Sequence, residues 1–500
     1  MTASSPVADP PATFTADWES LETFSCPDWF RDAKFGIWAH WGPQCVPMIG
    51  DWYARNMYID GEEAYAHHIE HYGHPSEFGY KDIVQLWKAE RFDPADLMHR
   101  YKRAGAKYFT SCAVHHDNFD CWDSTHHPWS SVNIGPKRDI VGAWAEAARA
   151  EGLRFGVTEH LERSYSWFNT NKMSDKAGPK AGVPYDGNDP EYQDFYFPPH
   201  SDRNRQYPLD PPDWWMQNWR DRMIDLIDRY EPDLLYTDGA VPFGEIGRSV
   251  VAHLYNRSIE RTSGTLDAVY NLKSYHASGK HNFEESISEF TPLGGHGEFR
   301  PGIGILDLER GGLSDILDQP WQTDTCIGNW YYRKGMTYKS AQLVIHMLAD
   351  IVSKNGNLLL NFPMLPDGSL DSEAIAVLDG LTDWFAVNGE AIYGTRPWTR
   401  YGQGRDFPTG DFAEPNESPL GAGDYRFVTK GPSTLFAIAM GWPDDGAFVI
   451  ERLGKQRVQR VEMLGHHGPL GFTPRGDGIR VTAPAKRPCD LAYSLKITLG

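Results

Sequence analysis

Long apolar runs are missing from this 500-residue chain. No stretch approaches the roughly 20 uninterrupted apolar residues that a membrane-spanning helix needs. The first residues, MTASSPVADPPATF, lack a basic start followed by an apolar core, so no secretory signal is read there and a soluble, cytoplasmic protein is expected. Cysteine is scarce: Cys26, Cys45, Cys112, Cys121, Cys326 and Cys489 are scattered without a CxxC pair. That spacing points to neither a zinc knuckle nor a disulfide framework and leaves reduced thiols as the expectation. Positive charge is in deficit, with 48 Lys and Arg against 68 Asp and Glu, a net charge of -20. Phosphate neutralisation needs clustered basic residues, so neither nucleic acid nor an anionic membrane is expected as the main partner. HExxH and HxH spacings are absent, as are internal repeats, and the only biased tract is a Pro-rich leader, loose over residues 1–17.

Aromatic residues are abundant by contrast, with 18 Trp, 24 Tyr and 24 Phe, many beside His, Asp or Gly in turn-like contexts. Core packing accounts for most of them. A sugar-binding cleft would use the rest, since a pyranose stacks its C–H face on an aromatic ring while its hydroxyls need planar polar partners. Eight short apolar runs recur, most of them ending in polar or glycine residues: FGIWAHWG (35–42), KYFTSCAVHHD (107–117), RFGVTEH (154–160), DLLYTDG (233–239), AVYNLK (268–273), IGILDLER (303–310), QTDTCIG (322–328) and NLLLNF (357–362). Amphipathic stretches at 92–106, 139–153, 213–232 and 338–356 fall between some of them. This alternation predicts an α/β fold, a (β/α)8-like TIM barrel over residues 18–398, with the fifth and sixth units lacking a clear helix. From residue 399 the texture changes to alternating runs at 425–443, 447–454, 457–465 and 479–485, separated by Gly and Pro, which predict a C-terminal antiparallel β-sandwich over 399–500.

In a parallel barrel the C-terminal strand ends form one rim, so residues far apart in sequence converge there. The residues so placed are His40, His115, His116, Glu159, His160, Asp238, Lys273, Glu309 and Asp324, with Trp330 just beyond. Asp238 and Glu309 supply the two carboxyls that glycosidic cleavage requires. With so many acidic residues in the chain, any one at a strand end is more often a solvated cap. Asp238 stands out because an apolar strand delivers it directly ahead of Gly239. His115, His116 and Asp117 could instead bind zinc or manganese, but neighbours on a strand point to opposite sides, so both imidazoles reach one ion only if the backbone has left the strand. Hydrogen bonding of neutral imidazoles to sugar hydroxyls makes fewer demands. No cofactor and no metal is expected.

The strand-end residues resemble glycoside hydrolase family 29, the retaining α-L-fucosidases, from about residue 27 to 398. The segments carrying the likeness are KFGIWAHWG (34–42), GDWYARNMY (50–58), AKYFTSCAVHHDNFDCWDS (106–124), PKRDIVG (136–142), PDLLYTDG (232–239), the long run 339–370 and GEAIYGTRPW (389–398). The resemblance implies an irregular (β/α)8-like barrel followed by a β-sandwich, and hydrolysis of a terminal α-L-fucosyl bond in a fucosylated glycan or glycoside. It implies Asp238 as nucleophile, with Gly239 leaving room for the sugar. Hydroxyl- and ring-binding roles carry over to His40, Trp52, His115, His116 and Trp330. Three positions depart from the family pattern. Asp51 stands where many members have Glu, Glu159 or His160 replaces a tyrosine, and Lys273 replaces an arginine. The acid/base sits on a variable loop, and Glu309 is the choice for it, with Glu298, Glu284 and Glu285 as rivals. Other readings are a fucose-binding pseudoenzyme, a metal-dependent barrel hydrolase, and a specificity drifted toward galactose. Oligomeric state is left open, a homo-oligomer included.

Overall fold

Strands buried on both faces read as near-continuous apolar runs, and the eight runs form one closed parallel barrel in chain order. They are β1 (Phe35–Ala39), β2 (Tyr108–Val114), β3 (Arg154–Glu159), β4 (Leu234–Thr237), β5 (Val269–Lys273), β6 (Ile305–Glu309), β7 (Trp321–Cys326) and β8 (Gly356–Asn361), and β8 closes back on β1. This is a computed structural model that describes residues 13–205, 207–273, 297–454 and 456–500. The long helices are α1 (Pro94–Arg103), α2 (Ile140–Ala150), α3 (Asp213–Tyr230), α4 (Glu245–Arg261), α5 (Ala341–Ser353) and α6 (Ser372–Asn388). The fifth βα connection falls largely outside the described residues. The sixth, residues 310–320, contains no helix.

Side chains alternate across each strand, and that alternation decides what reaches the site. Trp38, Tyr108, Leu234, Tyr236, Val269, Ile305 and Leu359 fill the lumen, with Phe30 below them. Their neighbours Ile37, Phe109, Leu235, Tyr270, Leu306, Leu358 and Leu360 face outward into the larger core under the helices. The lumen is tight: a Cβ at Gly36 would come within 2.4 Å of the Tyr108 ring. Helix α3 buries Trp215, Trp219, Arg222, Met223, Leu226, Ile227 and Tyr230, a three-and-four spacing that lays one face on the barrel.

The C-terminal strands are β9 (Arg396–Gln403), β10 (Tyr425–Lys430), β11 (Thr434–Ala439), β12 (Ala447–Ile450), β13 (Val458–Met463), β14 (Phe472–Arg475), β15 (Gly478–Thr482) and β16 (Tyr493–Leu499). They make an antiparallel five-stranded sheet, β13-β16-β11-β10-β9, and a three-stranded sheet, β12-β15-β14, around a separate apolar core. The run 425–443 is a hairpin of two strands, and β16, between β11 and β13, lies beyond the four runs anticipated. Residue 399, where the second domain was expected to start, falls within β9. At the other end, Phe14 exchanges hydrogen bonds with the Asn256 side chain on α4, so part of the leader is anchored.

Candidate active site

The lumen-facing register of each strand continues into the rim. Trp38 leads to His40, Leu234 and Tyr236 to Asp238, Val269 to Lys273, and Ile305 and Asp307 to Glu309. On β3 the same parity selects His160. Glu159 faces the opposite way, accepting from Leu161 N at 2.9 Å and from Trp219 Nε1 on α3 at 3.2 Å. Strand β2 ends at Val114, so the backbone has left the strand where His115 and His116 lie, and both reach the same space. One cleft of about 430 Å³ is lined by His40, Asp51, Trp52, His115, His116, His160, Asp238, Lys273, Glu309 and Trp330, together with Asp324.

Asp238 and Glu309 meet on one ammonium. Lys273 Nζ donates to Asp238 Oδ1 at 3.0 Å and to Glu309 Oε2 at 2.7 Å, and lies 3.4 Å from Asp324 Oδ2. The two bonded oxygens of Asp238 and Glu309 are no farther apart than the sum of those two legs, about 5.7 Å, against roughly 5–5.5 Å for retaining and 6.5–9.5 Å for inverting carboxyl pairs. The second oxygen of Asp238 lies 3.2 Å from Arg163 Nη2, 3.3 Å from His160 Nδ1 and 3.6 Å from His116 Nε2. The two acids are pushed apart in pKa. Burial would raise Asp238, but the Arg163 and Lys273 cations outweigh it and hold the carboxyl well below the usual range. Burial raises Glu309 to about 7, only partly opposed by Lys273. Its Oε1 accepts from Trp330 Nε1 at 3.2 Å.

The imidazoles are neutral: burial, the largest effect at each, lowers the pKa of His40, His115, His116 and His160, with the Asp238 carboxylate opposing it, most of all at His160. Their tautomers follow from their partners. Gln44 Oε1 accepts from Ala54 N, so its Nε2 donates to His115 Nδ1 at 2.7 Å and leaves His115 Nε2–H toward the cleft. His116 Nδ1 donates to the His160 carbonyl at 2.6 Å, which leaves its Nε2 as an acceptor. Asp51 Oδ1 stands 3.8 Å from His115 Nε2 without a hydrogen bond, and burial raises this carboxyl to about 8. Among the described residues three groups have ligand atoms within 4.8 Å of one another, as a metal ion would require: His40, Cys112 and His160; His115, His116 and His160; and His40, Asp51 and His115.

Several residues that the sequence reading passed over line the cleft, Arg163 and Phe412 among them. Arg163 sits four residues past the end of β3, where strand parity gives no signal, yet its guanidinium holds both the carboxylate and the main-chain carbonyl of Asp238. Phe412 comes from the segment between β9 and β10. The expectation for Gly239 is corrected: a Cβ there would fall 1.4 Å from the Tyr207 hydroxyl, so the glycine makes room for Tyr207 and not for a sugar. Of the rival acids, Glu298 is paired with Arg248 and lies outside the cleft. Glu284 and Glu285 lie outside the described residues.

Comparison with known proteins gives a consistent result. The family model described as alpha-L-fucosidase matches residues 1–390, and that of the alpha-L-fucosidase C-terminal domain matches residues 423–498. The tissue alpha-L-fucosidases of Mus musculus and Homo sapiens are each 26% identical, covering 98% of this chain and 96% and 93% of their own lengths. The Thermotoga maritima alpha-fucosidase solved in complex with fucose superposes with a TM-score of 0.70 at 26% identity, covering 97% of this chain and 100% of its own. The same enzyme with a mechanism-based inhibitor gives 0.72 at 26% identity, over 97% and 99% of the two chains. With a matched family model over most of its length, a closed eight-stranded barrel and a C-terminal sheet domain, this chain belongs to the alpha-L-fucosidases, glycoside hydrolase family 29.

Proposed function

We propose that this chain removes terminal α-L-fucosyl residues from fucosylated glycans or glycosides with retention of configuration, by double displacement. Asp238, kept ionised by Arg163 and Lys273, attacks C1 through an oxocarbenium-like transition state and forms a glycosyl ester. Glu309, neutral at mildly acidic pH, gives its proton to the departing oxygen and then takes one from the attacking water. The observation that carries this reading is the shared ammonium of Lys273, which couples two carboxyls of opposite pKa displacement at the short spacing of a retaining pair. The low pKa of Asp238 also makes it a good leaving group in the second step. His115, a donor, and His116, an acceptor, suit neighbouring sugar hydroxyls, while Trp52 and Trp330 supply apolar surface for the C5 methyl.

The test is direct. Asp238→Ala should slow nitrophenol release from an aryl α-L-fucoside by a factor on the order of 10³ or more while the far-ultraviolet circular dichroism stays native. Azide should then restore turnover and give the β-configured fucosyl azide; unchanged hydrolysis would remove Asp238 from the mechanism. Glu309→Ala should cost poor leaving groups far more than activated ones, and equal losses would shift the acid/base role to another glutamate. A metal-dependent hydrolysis has one observation in its favour, the clustered imidazoles. Loss of activity on chelation, restored by zinc or manganese, would establish it.

A further inference from the structure

We infer that Phe412 forms the floor of a leaving-group subsite: its ring stacks on the C–H face of the uncharged pyranose from which fucose is removed. The inference deepens the proposed function and rests on its assignment of Glu309 as acid/base.

The leaving oxygen must sit on the acid/base, so the sugar attached to that oxygen extends over whatever flanks Glu309 at the mouth of the cleft. Among the described residues that flank includes the segment 410–414, which the barrel holds by its main chain. Gly410 N donates to Gly312 O at 2.9 Å, Phe412 N to the carbonyl of Glu309 itself at 2.9 Å, and Glu414 N to Arg310 O at 3.1 Å. Side chains lock the same segment, because Glu414 accepts from Arg310 Nε at 2.6 Å, Lys339 Nζ at 2.8 Å and Thr325 Oγ1 at 2.5 Å.

A segment tethered this firmly would be expected to turn an aromatic ring inward, yet Phe412 lines the cleft while 62% exposed. Most large aromatic rings of this chain are buried. Its backbone is also in the left-handed region, at φ 55°, as is that of Arg310 opposite it, at φ 50°. Bulky residues avoid that region unless their surroundings over-determine it, and such outliers cluster at ligand sites. An exposed ring on a strained, clamped backbone at the cleft mouth is costly as packing and useful as a platform. The chemistry it suits is a neutral sugar, since the ring offers an apolar face and no charge. Asn329 lines the same cleft, half-buried, and among the described residues its side-chain amide has no hydrogen-bond partner, so it can read a hydroxyl of that sugar.

The test compares leaving groups. Wild type, Phe412→Ala and Phe412→Trp are assayed on α-L-fucosyl fluoride, whose leaving group has no ring and needs no proton, and on the methyl β-glycosides of fucosylated galactose and fucosylated N-acetylglucosamine. Phe412→Ala should lower kcat/KM on at least one disaccharide by about tenfold, leave the fluoride within about twofold, and Phe412→Trp should restore the disaccharide rate. Equal losses on all three substrates, or no loss on either disaccharide, would overturn the subsite. Glu309→Ala in the same panel keeps the two assignments apart. If Glu309 is the acid/base, that variant forms the glycosyl ester from the fluoride at near wild-type rate and fails on the disaccharides, whatever Phe412 does.

Discussion

Asp51 is held where a carboxyl is least at ease ionised. Burial, aided by the charges of Glu309 and Asp238, lifts it to about 8 against the hydrogen bond it gains from the Trp52 main chain. At mildly acidic pH it is therefore a neutral acid with a proton to give, and a glutamate at this position would carry the same group one methylene deeper into the cleft. The consequence is a contrast between two substitutions. Asp51→Asn keeps a neutral donor of the same size and should hold kcat/KM on an aryl fucoside within about fivefold near pH 6, whereas Asp51→Ala should lose about tenfold or more. Above about pH 8 the wild type should weaken further than the loss through Glu309 alone explains, as Asp51 ionises beside two other carboxylates, and the Asn variant should show only the Glu309 limb. If Asn and Ala are equally impaired at pH 6, the working form of Asp51 is the anion.

At the scale of elements, the end of β5 organises the ends of β4, β6 and β7. Lys273 faces Asp238, Glu309 and Asp324, and below it the lumen carries a run of hydrogen bonds. Tyr108 donates to Gln322 Oε1 at 2.8 Å, and Gln322 Nε2 to Asp307 at 2.6 Å. Burial and the charge of Asp324 keep Asp307 well above the carboxylate range, hence protonated. The reaction needs Asp238 ionised and Glu309 protonated, so kcat/KM should stay level through mildly acidic pH and fall as pH rises through about 7. Lys273→Met removes the cation that opposes burial on Glu309 and one of the two that hold Asp238 down. Both limbs of the profile should move to higher pH while the maximum drops by a factor on the order of 10². A basic limb that stays in place would mean that Glu309 is not the titrating group. The same strand ends show what was legible in the sequence. Six of the eight apolar runs contain their strands and the last two start one residue late, after Trp321 and Gly356, because burial on both faces leaves a compositional signature. Strand parity also separates His160 from Glu159 once β3 is placed. What could not be read was set by tertiary packing. Arg163 arrives from a turn after the strand, Gly239 answers to Tyr207 from a distant loop, and Phe412 depends on how 410–414 lies against β6. The omission of β16 is different, since YSLKITL does alternate and buries Tyr493, Leu495, Ile497 and Leu499.

Over the whole molecule, the β-sandwich is bolted to the barrel through a buried charge triad. Arg426 on β10 is fully buried and donates from Nε to Asp350 Oδ1 on α5, while Lys354 Nζ holds Asp350 Oδ2 at 2.8 Å. Around it, His346 bonds Ser418 Oγ at 2.7 Å, and Trp384 Nε1 on α6 donates to Ala492 O at 2.9 Å. Desolvating three charges consumes most of what their attraction returns, so the triad as a whole contributes little net stability, but removing Asp350 strips Lys354 of its carboxylate and leaves the buried Arg426 only the half-exposed Asp406, at 3.3 Å. Asp350→Ala should therefore cost about 3–5 kcal/mol, read as a lower urea midpoint by tryptophan fluorescence. Replacing the triad together, Asp350→Leu with Arg426→Met and Lys354→Met, should recover most of that loss; if the triple variant is as weak as the single one, the attraction itself holds the domains together. The segment bearing Phe412 runs from β9 to β10, the strand that carries Arg426, and is held to the barrel at 410–414 and again at Ser418. Loosening the sandwich in Asp350→Ala should reach the cleft mouth before it reaches Asp238. At urea concentrations below the unfolding transition, that variant should lose disaccharide turnover while fucosyl fluoride turnover persists. Loss of both together would mean that barrel and sandwich open in a single step.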